Sequence, residues 1–116
     1  MRLVRIEKAL LALFDAEAIG PDTLVDVAQR LSKTGVSRVA IMDFYFHIMS
    51  RQGSKLSQEQ LDMLGDVNLH LSGQQCPIDQ VIRLEGDPVD PLDLYDRVRE
   101  QMKGWVPPSA NDRKRD

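Results

Sequence analysis

Few side chains in this chain could do chemistry, and the closest pair is Asp43 and His47, one helical turn apart. At that spacing a carboxylate and an imidazole meet on one helix face and can share a proton or a metal ion. A zinc site needs about two further ligands. The chain offers only His70 and Cys76, each isolated. A surface ion pair, or a histidine hydrogen-bonded at the edge of the core, is the expected role for the pair. Cys76 has no second cysteine to bridge and, beside Pro77, reads as a small buried hydrophobe or a helix-start residue.

A second concentration of ligating atoms runs from Glu85 to Asp93, EGDPVDPLD. A calcium loop alternates oxygen ligands about a central glycine and closes on a glutamate at its twelfth place, a spacing this segment lacks. Asp90 and Asp93 instead fit the cap and first turn of a helix opened by Pro91, where negative charge is favourable. What remains is a rigid acidic corner, Glu85 and Asp87 held between a glycine and two prolines, suited to Lys or Arg side chains of a partner. There is no glycine-rich phosphate loop and no nucleophile with a base and an orienting acid at readable spacing. We therefore expect no catalytic residue, no metal ligand set and no cofactor.

A helix-turn-helix over residues 24–47 is the alternative reading. Leu24 to Leu31, a turn with Gly35, and Val36-Ser37-Arg38 have its layout. The second helix of that motif must present polar side chains to base edges. Here Ser37 and Arg38 give way to Val39, Ala40, Ile41 and Met42, and Asp43 sets the wrong charge against phosphate. The separation of seven positions from Ala28 to Gly35 also lengthens the usual turn. Nucleic acid is therefore not the expected partner.

The elements that position these residues are helical. Leu3, Ile6, Leu10, Leu13 and Phe14 recur at helical spacing, and Gly20-Pro21 is expected to end that first helix. Pro21-Asp22-Thr23 starts a second, with Leu24, Val27, Ala28 and Leu31 on its apolar face. Val36 to Gly53 is apolar on nearly every side, as befits a helix enclosed by others. Three helix starts share a hydrophobic residue ahead of the cap that packs on the fourth helical residue: Val36 with Ile41, Leu56 with Leu61, and Val89 with Leu94. Ser57 and Gln60 add a capping box, and Gly53, Gly73 and Gly104 read as C-terminal caps. Pro77 to Leu84 could form a further short helix. Trp105 is expected to fold back on the last turns of the fifth. Strand signals are nearly absent. The expected architecture is all-α, a bundle of five helices, or six with the Pro77 segment, spanning residues 1–105, with a disordered polar tail at 106–116.

The formal charge of −3 hides a division. Residues 1–56 carry eight basic and six acidic side chains, a net +2, whereas residues 57–103 carry four basic and ten acidic, a net −6. An acidic half repels phosphate and attracts basic partners over about 8 Å at physiological salt. No apolar run approaches membrane-spanning length, and the run Ala9 to Phe14 is too short for a signal peptide and follows Glu7, so a cytoplasmic protein is expected.

In size, helix order and acidic second half the layout is similar to that of small acidic helical bacterial immunity proteins. That similarity, with the charge division, implies a non-enzymatic inhibitor, antitoxin or immunity-type protein that occludes a basic partner such as a toxin or nuclease. The expected contact residues are Asp62, Asp66, Glu85, Asp87, Asp90, Asp93 and Asp96. Phe44, Tyr45 and Phe46 are consecutive and point about 100° apart, so they cannot all face one core. One of them is expected at a homodimer contact.

Overall fold

A computed structural model describes residues 3–73, 77 and 80–105. The fold is all-α: α1 (Leu3–Asp15), α2 (Pro21–Lys33), α3 (Arg38–Gln52), α4 (Gln58–Ser72) and α5 (Pro91–Gln101). Residues 81–84, expected to be helical, carry no helix. Cys76, the middle of the Pro77 segment and the polar tail lie outside the described residues. No described helix is long and apolar enough to cross a membrane.

The core is built around α3. Ile41, Met42, Tyr45 and Ile48 are buried against Leu24, Ala28 and Leu31 of α2, Leu64, Val67 and Leu71 of α4, and Leu10 and Phe14 of α1. Burying a side chain of this size stabilises by about 1.5–3 kcal/mol. The helix therefore owes its place to packing rather than to a single apolar face. A smaller cluster of Val81, Leu94 and Val98, which Met102 joins to the main core, seats α5.

Most boundaries follow local chemistry. Ser57 Oγ accepts from Gln60 N at 3.1 Å while Gln60 Oε1 accepts from Ser57 N at 3.0 Å, the expected capping box. The same Gln60 side chain donates through Nε2 to the Phe14 carbonyl at 2.8 Å, tying α4 to the end of α1. Ser37 caps α3 and Asp90 caps α5. Gly53 is the C-cap of α3, as expected, in the right-handed region. Two expectations fail. Gly20 is the N-cap of α2 in an extended conformation. Helix α1 ends instead through Glu17, whose φ of 54° is left-handed. Val89 is 87% exposed, so it does not pack on the buried Leu94.

Gly73 closes α4 with a left-handed φ of 74°, and a Cβ there would stand 3.1 Å from Val98 Cγ1. The missing side chain thus serves twice. It supplies the cap conformation and lets α5 approach the end of α4.

Candidate functional site

The most unusual assembly in the interior is one the sequence does not announce. Arg38, at the first position of α3, is 2% exposed. Its Nη1 donates to the carbonyls of Leu71 at 2.7 Å and Ile82 at 3.0 Å, and its Nε to Gln101 Oε1 at 2.8 Å. Its Nη2 is paired with Asp87 Oδ2. Asp87 Oδ2 also accepts from Leu84 N at 2.7 Å, and Oδ1 from Arg97 Nε at 2.8 Å. Burial pulls the Arg38 guanidinium below the ordinary arginine value, and the Asp87 carboxylate opposes that shift. The cluster joins the start of α3, the end of α4, the 82–87 loop and α5. Its chemistry is that of a satisfied interior ion pair.

This geometry corrects several expectations. Asp87 was expected to meet a partner, but its side chain is 1% exposed and committed to Arg38 and Arg97. Arg38 was the basic side chain that a helix-turn-helix would have offered to DNA, and it faces inward. The aromatic run finds contacts within the chain, with Phe46 left partly exposed. Phe44 and Tyr45 are both core residues, and the Tyr45 hydroxyl donates to the Leu24 carbonyl at 2.5 Å. Phe46 is half-buried under Trp105, with ring centroids 5.8 Å apart. Trp105 folds back so that its backbone N donates to the carbonyl of Met102, the cap of α5, at 3.0 Å, while its ring lies on α3 and its Nε1 donates to Asp43 Oδ1 at 3.3 Å. That contact engages Asp43, while His47 faces solvent. Among the described residues no three His, Cys, Asp or Glu side chains gather as a metal site.

The remaining expected contact residues are at the surface. Glu85, Asp90, Asp93 and Asp96 are exposed, with Asp90 Oδ1 accepting from Leu92 N at 2.9 Å as a helix cap. Asp62 and Asp66 are exposed on α4 together with Glu59. These three carboxylates, at i, i+3 and i+7, stand along a groove between α2 and α4 with a volume of about 520 Å³. Val25, Met63, Val67 and Ile82 supply its apolar lining. His70 closes one side, with its ring Nδ1 2.7 Å from the Asp66 carbonyl. An apolar floor with an acidic edge suits a segment that brings both apolar and basic side chains.

No family model, curated protein or solved structure matches the chain.

Proposed function

We propose that the chain is a non-enzymatic protein-binding module that engages a basic partner protein, in the manner of an inhibitor, antitoxin or immunity-type neutraliser. The observation that supports this is the α2/α4 groove, where Glu59, Asp62 and Asp66 border an apolar lining of Val25, Met63, Val67 and Ile82. Burial of the lining supplies affinity in such a contact, and the carboxylates supply steering and partner choice. The contact is centred on α4 and not on the 85–93 corner, because Asp87 is spent inside the fold. Occlusion follows if the groove covers the basic working surface of its partner.

The test begins with a partner isolated on immobilised full-length chain and then purified for pairwise titration. Asp62→Lys with Asp66→Lys is expected to weaken binding at least tenfold and to reduce its salt sensitivity, with the helical signal and melting unchanged. A doubly reversed protein that binds as tightly as the parent would overturn the reading.

A further inference from the structure

A second groove, of about 750 Å³, runs between α3 and α4. Phe46, Met49, Leu61 and Leu69 give it an apolar lining, with Gly65 among them. Leu69 is 41% exposed, so apolar surface stands in water that a covering segment would remove. Asp62 and Asp66 also line this groove, and they are the same two carboxylates that border the groove between α2 and α4. Asp62 Oδ1 accepts from Gln58 Nε2 at 2.9 Å. Among the described residues no Lys or Arg is paired with either carboxylate. An occupant that fits must bring a short apolar stretch and a group of cations, in that order along α4.

One segment of this chain has both. Trp105 is the last described residue. Its ring lies on Phe46, and it lines a small cavity that shares Phe46, Gly65 and Leu69 with the groove. The chain therefore leaves the described fold at the Leu69 end of the groove. Val106, Pro107 and Pro108 come next, and Arg113, Lys114 and Arg115 follow after four more residues. Arg113 is eight residues beyond Trp105, a reach of up to about 26–29 Å. Asp62 is seven residues before Leu69 on α4, about 10 Å along the helix axis. The cations reach both carboxylates with slack to spare.

We propose that residues 106–116 of this chain occupy the α3/α4 groove, with Val106, Pro107 and Pro108 over Phe46 and Leu69 and the cations of Arg113, Lys114 and Arg115 at Asp62 and Asp66. A segment with so few apolar side chains cannot build a core of its own, and the groove supplies one. Being tethered at the edge of the groove, it acts at an effective concentration on the order of millimolar, which a separate basic chain rarely attains. Exposed ion pairs are individually weak, so the contact can yield. Resting on the reading of the α2/α4 groove as the partner site, the seated segment offsets the charge of Asp62 and Asp66 and competes with a basic partner for them. A partner must displace it, which selects against weakly basic chains.

The test needs no partner, so its failure is separate from failure of the partner reading. Amide NMR shifts of Gly65, Asp66 and Leu69 are compared between the full-length parent and a full-length triple variant, Arg113→Gln with Lys114→Gln and Arg115→Gln. The expected result is a difference at these amides that shrinks at high salt and does not depend on protein concentration. A synthetic peptide of residues 106–116 should bind the triple variant saturably and move the same amides. It should bind the parent at least tenfold more weakly, because the parent's own segment competes. Adding Asp62→Asn and Asp66→Asn to the triple variant should weaken the peptide at least tenfold while the helical signal persists. Identical shifts in parent and triple variant, equal peptide affinity for the two, or peptide binding unchanged by the two Asn substitutions would each overturn the proposal. A shift difference that fades on dilution would place the segment on a second copy of the chain and would overturn it as well.

Discussion

Arg38 and Asp87 stand 49 residues apart in the chain and meet as a buried ion pair, each more than nine-tenths hidden from solvent at the side chain. Pairs of this kind are not strong sources of stability when both members are present. They become costly when one is removed, because the other charge is left in the interior.

Asp87→Ala should therefore destabilise the fold by about 3–5 kcal/mol, read as a lowered midpoint in urea unfolding. It leaves the guanidinium of Arg38 facing only carbonyls and Gln101. Glu85→Ala, two residues away and exposed, should change stability by no more than about 0.5 kcal/mol. Equal effects from the two substitutions would contradict the interior placement of Asp87. Charge reversal at Asp87 would for the same reason be a poor probe of partner binding.

Tyr45 sets a limit at alkaline pH. Burial pushes its phenol well above the ordinary tyrosine value. The unfolded chain ionises this group near pH 10, while the folded chain keeps it neutral. Its contribution is thus fully present below about pH 10 and declines by about 1.4 kcal/mol per pH unit above it, until the folded value is reached. Tyr45→Phe should cost about 1 kcal/mol at neutral pH, from the lost bond to the Leu24 carbonyl. It should also flatten the alkaline decline, so the two proteins converge in stability between pH 10 and 11. Parallel curves across that interval would show that Tyr45 is not the group responsible.

Two helix ends with one geometry make a matched experiment. Helix α1 closes with Ala18 N on the Leu13 carbonyl and Glu17 N on that of Phe14; α2 closes with Val36 N on the Leu31 carbonyl and Gly35 N on that of Ser32. Both place a left-handed residue at the turn, Glu17 in the first and Gly35 in the second. A side chain in that conformation costs about 1–2 kcal/mol. Glu17→Gly should raise stability by about 0.5–1 kcal/mol, and Gly35→Ala should lower it by about 1 kcal/mol. Thermal melts of the two variants moving in the same direction would refute the common geometry.

Gly73→Ala should be worse than Gly35→Ala. It adds contact with Val98 at 3.1 Å to the same backbone strain, whereas a Cβ at Gly35 meets nothing within 4 Å. The excess should appear as faster amide exchange in α5, whose buried residues are only Leu94 and Val98.

The helices were legible because each boundary carries its own local chemistry. Ser57 with Gln60 and Pro91 after Asp90 say where a helix starts without reference to the rest of the fold. The ends were harder. Glu17 adopts a conformation that its residue type disfavours, and no sequence pattern distinguishes Gly20 capping the start of α2 from Gly20 ending α1. Long-range pairing was illegible in principle. Asp87 looks like any acid in a loop until α3 brings Arg38 beneath it, and the coverage of Phe46 depends on Trp105, 59 positions later. Of the site, the acids of α4 were read as surface residues, but the apolar lining contributed by Val25 and Ile82 comes from elements distant in sequence.

The guanidinium of Arg38 also governs how the molecule comes together. Its acceptors lie on Leu71, Ile82, Asp87 and Gln101, so none of them is local to α3. An intermediate lacking α5 or the 82–87 loop would hold a half-solvated cation at the mouth of its core. Such forms carry the desolvation cost of that cation without its full set of acceptors, which couples the docking of α5 and the 82–87 loop to the start of α3.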